Sequence, residues 1–261
     1  MTERTKLLML GLIAGLYSAS LGTGVGLALV AGLTTLLRYP IKEIVGISLV
    51  TAIPTTFMGV LMHYFVNSGN ILFHTVAFIT LGAILGARLG TYIMVRIEKR
   101  LLAVLFFIIL MLTGLKMLGV IDFPVPVSTR FGSFPLLFAT GIAAGITAAL
   151  FGLGGGIIIV PALNLFFGLS IHQAVATSLA AVLPITAAAA LFHIEHIEVN
   201  KEALKALIPT ALLGAVIGAT TTNGIPPHVL RNIFGILLLF CAVRLITEKG
   251  TAAILEKLKC K

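Results

Sequence analysis

The two halves of this 261-residue chain repeat one pattern of glycine, serine, proline and histidine. Aligned with itself at an offset of 130, the chain has 15 identities in the 50 positions from residue 15 to residue 64. At an offset of 132, the segment LGAILGA at 81–87 meets LGAVIGA at 213–219. A repeat of this length predicts one architecture that is built twice. The matched pairs used below are Gly22 with Gly152, Gly24 with Gly154, Gly26 with Gly156, Ser48 with Ser178, Pro54 with Pro184, and His63 with His193.

Each copy contains four long apolar segments. Only 10% of the residues are charged and the mean hydropathy is +1.13, whereas soluble domains carry about 25% charged residues. A membrane-spanning helix needs about 20 apolar residues, and nothing here alternates like a barrel strand. The fold class predicted is therefore an all-α integral membrane protein. The first repeat is 1–118, with segments 6–37, 43–66, 71–95 and 101–118; a linker follows at 119–135, then a second repeat at 136–246, with segments 136–168, 173–194, 203–222 and 229–246, and a basic tail at 247–261.

The first segment of each copy is too long for one span and is divided by a glycine cluster. Each leg has about 15 residues, or about 22 Å of helix, which falls short of the roughly 30 Å hydrocarbon core. Either the segment is one long tilted helix, or it is a re-entrant hairpin that enters and leaves at the same face.

Charge favours the hairpin. With a cytoplasmic N-terminus and a hairpin, almost every loop lysine and arginine falls on the cytoplasmic side, with Arg130 the exception, as the positive-inside rule requires. A single span would place the arginines and lysines at 38–42 and 96–100 outside. The hairpin leaves three full spans per copy, so the second copy is inverted relative to the first. Both termini are predicted to be cytoplasmic, the linker extracytoplasmic, and the location the cytoplasmic membrane.

The glycine clusters are the candidate substrate site. At each break a new helix starts inside the membrane, where its free N–H groups and its dipole favour an anion. The alternative is that the glycines only allow close helix packing. Inverted copies would bring the two breaks face to face, as in many secondary transporters. The predicted substrate-binding residues are Gly22, Thr23, Gly24, Gly26, Gly152, Gly154, Gly155, Gly156, Ser48 and Ser178.

Further polar or helix-bending residues are candidates for gating or charge transfer. Ser48 and Ser178 could donate to an oxyanion, although such hydroxyls often bond their own helix. His63 and His193 could gate or relay protons, or could be interfacial residues near helix ends. Arg88 lies inside an apolar segment but could extend to the interface. Pro54 and Pro184 would bend their helices.

Several function classes are excluded or disfavoured by the sequence. The basic residues lie in loops and tails rather than in a stripe with aromatics, which argues against nucleic-acid binding. No carboxylate lies mid-membrane, which argues against cation transport. Neither glycine cluster is followed by Lys-Ser or Lys-Thr, so no nucleotide loop is present. No metal, cofactor or catalytic constellation is indicated, and the chain is not expected to be an enzyme.

The two glycine clusters, GLGTGVG and GLGGG followed by IIIVPAL, together with HQAVATSLAAVLP after the second, resemble the TauE/SafE sulfite-exporter family. The likeness covers residues 7–246, with the second copy closer; the first departs at Thr23, Val25 and Ala31. The resemblance implies a permease for a sulfur-containing anion such as sulfite or an organosulfonate, often by export.

Two functions therefore compete at this stage: a secondary transporter for a small sulfur anion, and an anion channel or a permease for an unrelated anion. The partners expected are that anion and the lipid bilayer. The oligomeric state is left open, a homo-oligomer included.

Overall fold

The computed structural model describes residues 2–37, 39–96, 99–121, 134–151, 154–194 and 200–259, and within these ranges it is helical with no strand. This confirms the all-helical prediction for the part of the chain described. A π-helical stretch, Leu33–Leu37, extends α2, and a 3-10 turn, Ser68–Asn70, precedes α4. The helices are α1 Glu3–Leu21, α2 Gly26–Gly32, α3 Ile41–Val66, α4 Phe73–Arg96, α5 Lys99–Met117, α6 Phe134–Phe151, α7 Gly156–Leu165, α8 Ile171–Ile194, α9 Lys201–Thr222 and α10 Pro227–Lys259.

Four helices in the described ranges are long and apolar enough to cross a membrane, which makes the chain a multi-pass membrane protein. They are Glu43–Val66, Phe73–Gly90, Ile171–Ala190 and Lys201–Thr222. The apolar stretches Phe134–Ala149, Gly156–Leu165 and Pro227–Val243 are shorter. The spans expected at 101–118 and 229–246 are not among the four and stay predictions. Helix α10 continues to Lys259, well into the predicted tail.

The segment 6–37 turns back on itself. Tyr39 donates a 2.8 Å hydrogen bond from Oη to Glu3 Oε1, so the residue after the segment lies beside the residue where it starts. Gly32 of α2 packs against the Leu10 side chain of α1. The two legs are unequal, in contrast to the equal legs of about 15 residues that we expected: α1 has 19 residues, and α2 has 7 before the π-helical stretch.

Helices of one copy pack on helices of the other through glycines. Gly11 lies against Leu207, and Gly15 against Ala211, so α1 and α9 run parallel in close backbone contact. Small residues permit this approach, which large side chains would block.

Helices α4 and α6 form the matching pair. Gly86 lies against Ile142 and Gly90 lies against Ile146, and the two helices again run parallel. The first hairpin helix of each copy therefore packs on the third long helix of the other copy.

Polar contacts join the helix ends into two groups, here called end A and end B. At end A, the start of α1, the residue Tyr39 and the start of α9 line one cavity of about 650 Å³. At end B, Asn70 Nδ2 donates to Asn223 Oδ1 at 3.2 Å, and the His172 ring lies 3.1 Å from the Thr222 carbonyl oxygen. Helices α3 and α9 therefore run from end A to end B, and α8 runs back.

Lysines and arginines of the described residues lie near both groups of helix ends. Arg4, Lys201 and Lys205 lie at end A. Lys116 lies in the last turn of α5, and Arg231 lies in the second turn of α10, just after the end B turn at Ile225. The count of loop residues overlooked these two because both belong to apolar segments.

Candidate functional site

Left-handed glycines define both breaks. Gly22 and Gly24 have φ of 69° and 79°, and Gly154 and Gly155 have φ of 72° and 78°. Only glycine adopts this region without strain, so these residues can end one helix and turn the chain towards the next.

The two breaks touch each other directly. A methyl group on Gly156 would overlap the Gly22 carbonyl oxygen and would lie 2.6 Å from Thr23 Cα. Gly154 approaches the Thr23 carbonyl oxygen, at 3.6 Å from where its β-carbon would lie. No side chain separates the two backbones at this point.

The contacts of Val182 show how far the two breaks lie from the ends of α8. A β-carbon on Gly24 would lie 3.2 Å from Val182 Cγ1, and one on Gly154 would lie 3.1 Å from the same atom. Val182 is at the middle of α8, which spans Ile171–Ile194. At 1.5 Å per residue, both breaks lie about 17 Å from either end of that helix.

The helix that leaves the second break starts without a side-chain cap. Gly155 is the N-cap of α7 and makes no side-chain hydrogen bond to it, while the Ile158 N–H donates to the Gly155 carbonyl oxygen at 3.0 Å. The N-cap of α2, Val25, likewise offers no side-chain hydrogen bond. The first N–H groups of a helix have no partner within the helix and carry the positive end of its dipole.

A hydrogen bond from Ser178 stabilises the first break. Its Oγ donates a 2.9 Å hydrogen bond to the Gly22 carbonyl oxygen, and both residues are buried. A hydroxyl has one proton, so in this conformation Ser178 has none left for a ligand. The Thr23 hydroxyl is similarly directed to the Gly24 carbonyl oxygen, at 3.3 Å.

Polar groups without partners are concentrated in the first copy. Among the described residues, seven buried side-chain atoms have no hydrogen-bond partner, and all seven precede residue 81. Tyr17 lies near the Thr23 side chain but does not meet hydrogen-bond geometry with it. The seven atoms are Tyr17 Oη, Ser18 Oγ, Ser48 Oγ, Thr51 Oγ1, Thr56 Oγ1, His63 Nδ1 and Thr80 Oγ1.

His63 is buried between α3 and the end of α1. Its Nε2 lies 2.9 Å from the Ala19 carbonyl oxygen, and the residue is 1% exposed. Because a carbonyl oxygen only accepts, Nε2 must carry the ring proton, and Nδ1 is left as an unpaired acceptor.

Other predicted site residues lie elsewhere or are not described. Arg88 is exposed on α4, about 200° around the helix from the Gly86 contact with α6. Pro54 and Pro184 lie inside α3 and α8, and Gly26 is buried as the first residue of α2. Gly152 and the His193 side chain lie outside the described part of the molecule.

Sequence reasoning missed the residues at the end of α1. Tyr17 and Ser18 were not among the predicted site residues, the first of which was Gly22. Val182 was not singled out either, because it is one apolar residue among many. Comparing the copies position by position could have found Ser18, since the second copy has Ala148 there.

The buried interior carries no formal charge in the part of the chain that the structure describes. Its buried polar side chains are hydroxyls, one asparagine and His63, with no buried Lys, Arg, Asp or Glu. A ligand at the breaks would therefore meet hydrogen-bond donors and helix dipoles rather than ion-pair partners.

Comparison with known proteins gives one family. The model of the family "Sulfite exporter TauE/SafE" matches residues 1–117 and 127–257. Two Bacillus subtilis (strain 168) proteins are similar over nearly their whole length: the probable membrane transporter protein YdhB, 28% identical over 89% of this chain and 97% of its own, and the probable membrane transporter protein YunE, 26% identical over 93% and 97%. A probable membrane transporter protein of Xylella fastidiosa (strain Temecula1) is 27% identical over 77% of this chain and 78% of its own. No solved structure matches the chain.

Proposed function

The chain belongs to the sulfite exporter TauE/SafE family, and we propose that it is a secondary transporter that moves a small sulfur-containing anion, such as sulfite or an organosulfonate, out of the cell across the cytoplasmic membrane. The names of its relatives point to membrane transport rather than to enzyme catalysis. The anion would bind where the helix N-termini at the two glycine breaks meet.

The proposal rests on one observation: the two breaks meet beside the middle of α8, and only backbone atoms face each other at the contact. An uncapped helix start, Gly155–Gly156, lies at this point, and a ligand would approach it from the side of Gly24 and Gly154, because the backbone of Gly22 and Thr23 already fills the space beside Gly156. Helix N-termini stabilise anions. The buried side chains of the described residues supply neutral donors but no carboxylate that would attract a cation.

The same proposal includes an inverted-repeat topology with both termini cytoplasmic. The return of the first hairpin to end A, shown by the Tyr39–Glu3 bond, supports it. The second hairpin starts near end B, because Phe134 at the start of α6 stacks on Phe78 near the start of α4, with ring centroids 4.5 Å apart. It also ends there, because α7 is followed within a few residues by the start of α8 at Ile171.

The outward direction follows from the membrane potential. An inside-negative potential favours the exit of a monovalent anion by about 2.3 kcal/mol per 100 mV. Export down this gradient needs no ATP and no intramembrane carboxylate to relay protons.

The test is transport by the purified chain in liposomes. We expect saturable uptake of sulfite or methanesulfonate into vesicles that are positive inside, and slower uptake when that potential is collapsed. Counterflow, in which unlabelled anion inside accelerates entry of labelled anion, would identify a transporter. Steady anion current without counterflow would identify a channel, and the absence of flux of any sulfur anion from well-folded protein would overturn the proposed substrate class.

A further inference from the structure

The repeat allows each unpartnered polar group of the first copy to be compared with its equivalent in the second. Thr56 Oγ1 is buried without a partner, whereas the equivalent Thr186 Oγ1 donates to its own helix, with the Val182 carbonyl oxygen 2.9 Å away. Ser48 Oγ has no partner among the described residues, whereas its equivalent Ser178 bonds the Gly22 carbonyl.

Three more of the seven groups show the same difference. Ser18 and Thr51, both without a partner, correspond to Ala148 and Ala181, which have no polar group to satisfy. Tyr17 corresponds to Thr147, whose hydroxyl bonds carbonyl oxygens of its own helix. A buried polar group without a partner costs about 1–3 kcal/mol, so a cluster of them in one copy requires a compensating partner.

These groups follow one face of α3 over about 22 Å, from Ser48 to His63, and the far end of this face lies beside the end of α1. At 100° per residue, Ser48, Thr51, Thr56 and His63 fall within about 140° of one face of α3. That face packs on the end of α1: His63 bonds the Ala19 carbonyl, and a β-carbon on Gly59 would lie 3.5 Å from Ala19 Cβ. Ser18 directly precedes Ala19 on α1 and lies four positions before Gly22.

We propose that this face of α3, with Ser18, forms the side-chain half of an extended anion site along the transport path and selects a singly charged oxyanion over a doubly charged one. This inference rests on the proposed transport function and adds the charge state of the substrate. Because Ser48 and His63 are about 22 Å apart along α3, the hydroxyls of Ser18, Ser48, Thr51 and Thr56 donate to the anion's oxygens in turn as it moves, while the glycine breaks supply backbone N–H groups.

The preference for one charge follows from electrostatics. Transfer of an ion from water into a low-dielectric interior costs free energy that rises with the square of its charge. Hydroxyls and dipoles can replace the water around a monoanion, but no buried cation among the described residues compensates a second charge.

His63 adds one acceptor to this set of donors. Its Nδ1 is free to accept because Nε2 is committed to Ala19, so an anion that keeps one O–H, such as hydrogensulfite, can donate to it. The other ionisable groups on the helices packed against α3 are Glu3, Arg4, Lys6 and Tyr17 on α1, His172 and His193 on α8, and Lys201, Glu202 and Lys205 on α9, with none on α2.

The first part of the test compares anions on the wild-type protein in liposomes across the sulfite–hydrogensulfite equilibrium. Methanesulfonate keeps one charge at every pH, so we expect its uptake to be unchanged. We expect sulfite uptake to fall with the hydrogensulfite fraction as the pH rises, and sulfate not to be transported. Sulfate uptake as fast as methanesulfonate uptake, or sulfite uptake that rises with pH, would overturn the monoanion preference.

The second part uses equivalent residues of the two copies. Thr56→Val should raise KM for methanesulfonate about 10- to 100-fold, because it removes a hydrogen bond to a charged ligand. Its matched control, Thr186→Val, should change KM by less than about 2-fold, because that hydroxyl bonds its own helix. Equal KM values for the two variants, with wild-type flux intact, would overturn the half-site while leaving the transport function standing.

A third variant tests whether His63 accepts a hydrogen bond from the anion. His63→Phe should raise KM for hydrogensulfite more than for methanesulfonate, because only hydrogensulfite has an O–H to donate. An equal change for both anions would show that Nδ1 is not a ligand contact. If the wild type carried neither anion, the half-site and the transport proposal would both be overturned.

Discussion

At the second break, two consecutive glycines, Gly154 and Gly155, have left-handed backbone, whereas at the first break Gly24 is left-handed and the next residue, Val25, has φ of −72°. Valine is β-branched and cannot adopt the left-handed region without strain, so the first break has its left-handed residues at Gly22 and Gly24, separated by Thr23. The first break is instead held by side chains, through the Ser178 bond to Gly22 and the complete burial of Val25.

The two copies also differ in the polar groups that they bring to the breaks. The second copy supplies two consecutive left-handed glycines and an uncapped helix of 10 residues, while the first copy supplies buried hydroxyls without partners. Equal sequence spacing in two copies therefore does not require equal roles, and variants at matched positions can separate the two.

The largest effect is expected at the contact between the breaks. Gly156→Ala keeps a helical backbone but places a methyl group on the Gly22 carbonyl oxygen, so the two breaks must separate. We expect destabilisation of about 3 kcal/mol, as for overpacked cores, and loss of transport in the liposome assay.

The matched variant at the first break is Gly24→Ala. It must pay left-handed strain of about 1–2 kcal/mol, but its methyl group meets only the flexible Val182 side chain at 3.2 Å. Thermal unfolding followed by circular dichroism should give a lower unfolding temperature for Gly156→Ala than for Gly24→Ala. The reverse order would mean that the close contact between the breaks does not hold the fold.

The next effect concerns the position that differs between the copies. Gly155→Ala should cost about 2 kcal/mol, because φ of 78° is strained for alanine and its methyl group would lie 2.8 Å from the Ala144 carbonyl oxygen. Gly119→Ala, at φ of 72° with open space around it, measures the strain alone. If both variants unfold at the same temperature, the space beside Gly155 is not limiting.

A smaller effect distinguishes the paired serines. Ser178→Ala should lower stability by about 1 kcal/mol or somewhat more, since it leaves the buried Gly22 carbonyl unpaired. Ser48→Ala should leave the unfolding temperature unchanged or raise it, because it removes a buried hydroxyl that has no partner among the described residues. Equal losses in the two variants would mean that both serines hold a break in the same way.

The smallest effect is expected where the first hairpin closes at end A. Burial, then the hydrogen bond to Glu3 and its negative charge, raise the pKa of Tyr39 to about 12. The raised pKa stabilises the neutral phenol, so this contribution is complete below the usual tyrosine pKa of about 10 and is lost as the pH rises towards 12. Tyr39→Phe should cost only a few tenths of a kcal/mol at neutral pH, and the difference in phenolate absorbance between wild type and variant should locate this titration.

The sequence predicted the helices and their order because apolar length and glycine position are local properties. It also identified the two breaks as the central feature. It did not predict the unequal legs, because α1 extends beyond the apolar run to Glu3, where Thr2 caps it, and α2 ends after 7 residues in a π-helical stretch.

The packing register could not be predicted from the repeat. The sequence alignment pairs Gly82 with Gly214, but the structure gives Gly86 the equivalent contact: Gly86 lies on Ile142 of α6 as Gly214 lies on Leu12 and Leu16 of α1. The difference is about one helical turn. A motif of glycines four residues apart fits either register, and only the close approach of the neighbouring backbone distinguishes them.

The glycine-lined pairs α1 with α9 and α4 with α6 mean that covalent halves and packing units do not coincide. Each half of the chain has a helix face of small residues that packs only on the other half. Neither half can therefore bury this face by itself when it has been synthesised. The two halves must therefore fold together, and the covalent connection between α5 and α6 keeps the second half within reach of the first.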